Sequence, residues 1–357
     1  MEKIYLKGYP FFFWKYEEQT KIKHLIFATY FDKWIKILGK RDTLNYFDCF
    51  AGCGAYIDEN KNIYYGSPIL AAEKIKENKE HLFRKVNMII IEKDEENLKN
   101  LEKIFQYKKL DVNIKPLHGD FDKAINSILS NNEKEFNPSF FFIDPFGFKI
   151  NFKTIEKIMK VTKSEVLINF MYNSVNRFLI DNIESTLNNL FNCEDWKKYK
   201  NTTINREKEI VKLYRDQLKQ IADFVISCRV CFPTKKRTYY YLYHLTKHVL
   251  GCSVMKSCIA QHCKGRLEYL GSGGGQMTFN DIPELRINEI EKYILNKYHE
   301  IKKEYIQLIR ENIDNTSFLE SEIKKALKSL EKENKICIKR IESKKTGLTG
   351  KDIIIYN

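Results

Sequence analysis

A chain of 357 residues is long enough for two domains, and its 43% hydrophobic and 13% aromatic content is ample for a sizeable core. No apolar run approaches the ~18 residues a membrane helix needs, and Tyr9 to Trp14 is too short and wrongly flanked for a signal peptide, so a cytoplasmic protein with no membrane association is expected. Nine cysteines, an odd number, are expected as thiols, and the formal charge of +14 suits either a polyanionic partner or a solvated lysine-rich surface.

In chain order, NYFDCFAGCGAY (45–56) reads as a short buried strand that ends in an acid and breaks at Gly52 and Gly54, where a ligand could meet bare backbone. Ser67 as N-cap and Pro68 at the first helical position start a helix over ILAAEKIKENKEHLF. VNMIIIEKD (86–94) is a near-continuous apolar strand, and a helical period follows over EENLKNLEKIFQY. VNIKPLHGD (112–120), FDKAINSILS, FFFIDPFGF (140–148), TIEKIMKVTK and EVLINF (165–170) continue the alternation, which predicts a parallel doubly wound sheet. After a polar helical insertion at about 174–222, FVISCRVCF and RTYYYLYHL flank a Pro-Thr-Lys-Lys turn and could pair antiparallel. Seven strands ending in a hairpin is the arrangement of class I methyltransferases, so the fold expected is an α/β Rossmann-like sheet over residues 1–270.

GSGGGQ (271–276) is either a linker or a phosphate loop, and a linker over 271–285 is the reading adopted. Beyond it RINEIEKYILNKYHEIKKEYIQLI reads as one long amphipathic helix, and Ser317 with Glu320 as a capping box. Residues 321–351 hold ten Lys or Arg against four Glu, and IESKKTGLTGKDIIIY, with Gly347 and Gly350, has the look of a hairpin. The C-terminal domain, 286–357, is thus read either as a winged helix or as a basic helical tail.

The acids carry the chemistry. In the dinucleotide fingerprint a third glycine follows the second by three residues, and the ribose acid lies ~20 residues on. Here Ile57 takes the third place and Glu92 lies 40 residues beyond Gly52, which disfavours NAD. S-adenosylmethionine (SAM) fits better, since it has no pyrophosphate and needs a close backbone approach at Ala51, Gly52 and Gly54 plus an acid for two ribose hydroxyls. Glu92 ends the second strand and suits those hydroxyls. Asp120 either accepts the adenine amine, with Phe121 against the base, or caps the next helix. With Asp48 and Asp144, four acids end successive strands, and ligands bind at the carboxyl ends of such sheets.

Asp144-Pro145-Phe146-Gly147 is the expected place of transfer. Amino-methyltransferases hold an exocyclic amine in a [D/N/S]-P-P-[Y/F/W] loop with a side-chain oxygen, a carbonyl and a stacked aromatic, so catalysis is mostly positioning. Here the second proline is missing and the aromatic is shifted one place. Cys228 and Cys231, three apart on one strand, point to opposite faces, and His24, His118, His244, His248 and His262 form no ligand-spaced set, so no metal is expected.

KIKHLIFATYFDKWIKIL (21–38), YFDCFAGCGAYIDE, YGSPILAA, FFFIDPFGF and YYYLYHLTKHVLGCSVMKSCI (239–259) resemble, in order, the three-Cys-motif partner protein family, TcmP. The resemblance implies SAM as cofactor, a C-terminal winged helix and an associated three-Cys-motif protein as partner. It is also similar to a ribosomal-RNA adenine methyltransferase group in which a Lys-His pair precedes the glycine loop. That likeness implies Lys23 or His24 near the methionine carboxylate, although either could be an exposed helix residue. The function expected is N-methylation of a nucleic-acid base. Methylation of a small molecule or peptide, or a SAM-binding adaptor without transfer, is the alternative.

Overall fold

The structure, a computed structural model, describes residues 2–82, 84–130, 137–179, 183–202, 204–232, 237–264, 267–269, 283–341 and 347–356. From the N-terminus, β1 (Ile4–Tyr5) and β2 (Phe12–Lys15) precede α1 (Glu18–Leu38) and β3 (Leu44–Asp48). The glycine loop leads into β4 (Ala55–Ile57) and β5 (Ile63–Tyr65), which complete a four-stranded sheet of order β1-β2-β4-β5. Next alternate α2 (Ser67–Glu77), β6 (Val86–Glu92), α3 (Glu95–Tyr107), β7 (Asn113–His118), α4 (Phe121–Ser130), β8 (Ser139–Ile143), α5 (Phe152–Lys160) and β9 (Ser164–Phe170). The helical insertion comprises α6 (Tyr172–Phe178), α7 (Glu184–Phe191), a 3-10 turn (Asp195–Tyr199) and α8 (Arg206–Lys219). β10 (Phe224–Cys231), β11 (Thr238–Thr246), α9 (Val249–His262) and β12 (Glu268–Tyr269) follow.

The main sheet has the order β12-β10-β11-β9-β8-β3-β6-β7. β7, β6, β3, β8 and β9 are parallel, and β11 is antiparallel to both β9 and β10. This is a Rossmann-like sheet, with a short eighth strand beside the seven expected. β3, β8 and β9 are buried at every residue, because a parallel sheet covered on both faces has no solvent side to reserve for polar residues. β7 is the edge and is the strand that tolerates a proline, Pro116, since no neighbour needs its missing N–H. Chain order reverses at β3, which lies between β6 and β8, and its carboxyl end is where such sheets bind ligands.

Several expectations shift. The α2 N-cap is Gly66, one residue before Ser67. The strand expected over 140–148 ends at Ile143, so Asp144 lies in the loop beyond it. The Gly-rich 271–276 stretch and the Pro-Thr-Lys-Lys turn lie outside the described residues.

The chain groups into two compact units, Met1–His248 with Glu268–Gly273, and Val249–Leu267 with Gly274–Asn357. The unit boundary therefore differs from the expected one at 270, because α9 belongs with the C-terminal residues. Lys256 explains this: its fully buried ammonium donates to the carbonyls of Ile313, Thr316 and Phe318 at 2.5–2.7 Å. The second unit continues with α10 (Pro283–Tyr298), β13 (Lys302–Glu304), α11 (Tyr305–Asn312), α12 (Glu320–Lys332), β14 (Ile336–Lys339) and β15 (Ile353–Tyr356). The single long helix expected here is thus broken by a strand. Its apolar period at 290, 294, 298, 301, 305 and 308 runs on without a fault, but Glu300 turns left-handed at φ +56° and Lys302–Glu304 pairs with Ile353–Ile355. Nor is Ser317 the cap of α12: Leu319 holds that place, and its N–H donates to the Glu322 carboxylate at 2.7 Å.

Candidate functional site

Gly52 and Gly54 have φ of +63° and +79°, a region that L side chains rarely adopt. The loop is also crowded. A Cβ on Gly52 would lie 3.2 Å from the Trp14 ring, and one on Gly54 only 2.3 Å from Leu101. Buried Asn100 fastens the loop to β2, donating to the carbonyls of Cys53 (2.8 Å) and Phe12 (2.9 Å) and accepting from the Phe12 N–H. The Ala51 N–H donates to the Ile91 carbonyl at 3.1 Å, which ties the loop to the end of β6.

Glu92, the last residue of β6, accepts the Gly52 N–H on one carboxylate oxygen at 2.7 Å and the Asp94 N–H on the other at 2.8 Å. It lines a cleft of about 590 Å³ at the carboxyl edge of the sheet, together with Asp120, Phe121, Pro145 and Phe146. Asp120 also caps α4, accepting the Asp122 N–H at 3.1 Å. Phe121 is buried to 3% exposure and packs against Phe50 with ring centroids 5.2 Å apart. Asp48 is completely buried and does not line the cleft. Tyr46 donates to its Oδ2 at 2.6 Å, whereas Oδ1 has no partner among the described residues. Burial raises the Asp48 pKa to about 7, against the opposing pull of hydrogen bonds from Ser67 and Tyr46.

Asp144 follows β8. The Lys23 ammonium forms an ion pair with its Oδ2, and Asn169 Nδ2 donates to its Oδ1 at 2.7 Å. Both charges are largely shielded, with side chains 9% and 16% exposed. Lys23 also lies over the Tyr240 ring, 5.7 Å from its centroid. His24 is buried, with Nδ1 3.1 Å from the Tyr16 hydroxyl, and burial lowers its pKa to about 3, so the ring is neutral. Phe146 is 63% exposed, and its ring meets Trp14 edge-on at 5.1 Å.

The structure therefore gathers Glu92, Asp120, Phe121, Pro145 and Phe146 around one cleft, joins Gly52 to Glu92, and pairs Lys23 with Asp144. Sequence reading missed Asn169, Trp14 and Asn100. The first follows no motif, and the other two act on the site only through long-range packing. Among the described residues no group of three His, Cys, Asp or Glu could hold a metal ion. Cys49 and Cys53 are buried, and burial pushes the Cys53 thiol up to about 12.

The residues present fit an adenosyl group. Each Glu92 oxygen accepts one backbone N–H and keeps a lone pair for an outside hydroxyl, and Gly52 leaves backbone where a side chain would stand.

The chain matches no family model and no curated protein. Among solved structures it is similar to a Legionella pneumophila protein of the DUF519 family (14% identity, covering 72% of this chain and 94% of that one, TM-score 0.45). It is also similar to an O-methyltransferase from Bacillus cereus in complex with SAH (12%, 62% and 80%, TM-score 0.38). A third likeness is to the O-methyltransferase TomG from Streptomyces achromogenes in complex with SAM (11%, 66% and 92%, TM-score 0.38). At these identities and TM-scores the likenesses add nothing to what the strand order already establishes. Among the described residues no helix is long and apolar enough to cross a membrane.

Proposed function

We propose that this chain is a SAM-dependent methyltransferase acting on an exocyclic nitrogen of a nucleic-acid base. One observation carries the reading: the Gly52 N–H on the Glu92 carboxylate joins the loop after the central strand to the acid that ends its neighbour, at the point where strand order reverses. When bound, SAM supplies an electrophilic methyl group on a sulfonium sulfur that keeps the bond's electrons as the methyl leaves. Glu92 takes the ribose hydroxyls, Asp120 the adenine amine, and the glycine loop the methionine end. Asp144, paired with Lys23, accepts from the attacking amine together with the Pro145 carbonyl. That orients the nitrogen lone pair, and the newly methylated nitrogen then releases its proton to water. Phe146 offers an exposed face for the base.

The exposure of Phe146, with Lys93, Lys149 and Arg177 lining the same cleft, supports a nucleic acid over a small acceptor. The cleft volume of about 590 Å³ favours the second reading, a small molecule or peptide. After α9, the helix–strand–helix–helix–strand–strand order of the second unit, closed by an antiparallel three-stranded sheet, supports a winged helix. Membership of the three-Cys-motif partner family, and the partner protein it implies, rest on the sequence motifs.

Calorimetry of SAM with wild-type and Glu92→Ala protein tests the cofactor site. Loss of two contacts to a charged carboxylate should weaken binding by about 2–4 kcal/mol. Undiminished affinity in a folded variant would sink the assignment. Single-turnover transfer of labelled methyl to RNA, DNA and cell-extract pools then identifies the acceptor class, and no transfer to any pool, even with the partner protein added, would leave an adaptor.

A further inference from the structure

Four cations surround α6. Lys149 and Arg177 line the cleft that holds Phe146, and the Arg177 guanidinium lies over the Phe178 ring at 4.5 Å. Asn173, Asn176 and Arg177, at helical spacings of three and four, share one side of α6. The Asn176 side-chain oxygen accepts from Arg206 Nη1 at 3.3 Å, and that of Asn173 accepts from Arg237. Arg206 donates in addition to the Thr202 carbonyl.

Every one of these partners is neutral. An amide oxygen, a carbonyl or a ring positions a guanidinium without cancelling its charge, and Arg keeps further N–H donors in the fork that matches a phosphate. Some exposed lysines elsewhere on this unit are answered by acids, as Lys99 is by Glu95 and Lys160 by Glu156. Among the described residues none of the four cations at α6 has an ion pair. One carboxylate oxygen of Glu207, next to Arg206 in the chain, takes Arg229 Nε at 3.2 Å, the Tyr241 hydroxyl at 2.7 Å and the Thr238 hydroxyl. Pre-positioned, uncompensated guanidiniums beside an exposed aromatic ring are the two parts of a single-strand site, one for the backbone and one for a base.

We propose that Lys149, Arg177, Arg206 and Arg237 form a phosphodiester track for single-stranded nucleic acid, whose unstacked base enters the cleft beside Phe146. The proposal rests on the nucleic-acid reading above and locates the grip on the first unit itself, apart from the basic C-terminal residues. A base stacked within a duplex could not reach Phe146, so the strand must be open or opened there.

The test is fluorescence anisotropy of labelled oligo-dT and oligo-U on the full chain across a salt series, with SAM calorimetry alongside. The Arg177→Gln/Arg237→Gln protein should bind both oligonucleotides more weakly, with the slope of log affinity against log salt shallower by about 1.4, at about 0.7 per single-strand phosphate contact. Lys160→Gln, on α5, should leave affinity, slope and SAM binding as in wild type. Wild-type affinity and slope in the double variant would overturn the track, as would a wild-type chain that binds SAM but neither oligonucleotide. A chain that binds oligonucleotide through these arginines but takes no SAM would keep the track and sink the methyltransferase reading.

Discussion

The Lys23 ammonium is paired with the Asp144 carboxylate, and Asn169 Nδ2 holds the carboxylate's other oxygen at 2.7 Å. Lys23, which sequence likeness offered with His24 for the methionine carboxylate, thus has its charge paired on the loop proposed to take the acceptor. Removing one partner of a largely buried pair leaves the other uncompensated, so Lys23→Met should destabilise the fold by about 3 kcal/mol. Adding Asp144→Asn should cost less than the sum of the two single changes. Denaturant unfolding of the four proteins checks this, and additive losses would mean that the pair is not coupled. In the transfer assay Asp144→Ala should slow methylation by orders of magnitude while SAM affinity stays within a few-fold, because an acceptor-side group acts chiefly in the transition state.

Gly54 and Gly147 should respond oppositely to alanine. At Gly54, φ of +79° alone strains an L residue by about 1–3 kcal/mol, and the new Cβ would press on buried Leu101. At Gly147 nothing lies within 4 Å of a Cβ, so stability should stay within about 0.5 kcal/mol of wild type. Thermal melts compare the two directly, and a Gly54→Ala protein as stable as wild type would contradict the loop geometry.

Asp48 gives the fold a pH signature. Its carboxyl is raised from 3.8 to about 7 by burial, so the folded state holds a proton that the unfolded chain has already released. Its contribution to stability is therefore complete below pH 3.8, falls as pH rises, and levels off above about 7, a span on the order of 4 kcal/mol. Asp48→Asn removes the titration. Wild-type stability relative to this variant should decline between those limits and be flat outside them, and a difference that rises with pH would show that Asp48 is ionised in the fold.

Lys325, Lys328 and Lys332 recur along α12 and are exposed. If the second unit grips duplex nucleic acid through this helix, changing all three to Glu should weaken binding and flatten the salt slope by up to about 2.7, at about 0.9 per duplex phosphate. Charge reversal is a better probe than truncation at residue 314, which would strip out buried Leu327, Leu330 and Ile354 and the Thr316 and Phe318 carbonyls that Lys256 holds. An unchanged slope would make the lysines a solvated face.

What the sequence alone determined was whatever a local period or an apolar run can encode. β3, β6, β8 and β9 were legible because strands buried on both faces must be apolar almost throughout, and Asp48 and Glu92 because a strand's last residue fixes which edge of the sheet it occupies. Tertiary structure decided the rest. Lys302–Glu304 became a strand in an unbroken helical period because β15, some fifty residues further on, offers it backbone partners worth more than helix propensity. Lys23 found Asp144, Asn100 the carbonyl of Cys53, and Trp14 the ring of Phe146 across long stretches of chain, and no local pattern records such meetings. Pairing of this kind follows from which surfaces the packed layers bring together, and so it is set only once the sheet has formed.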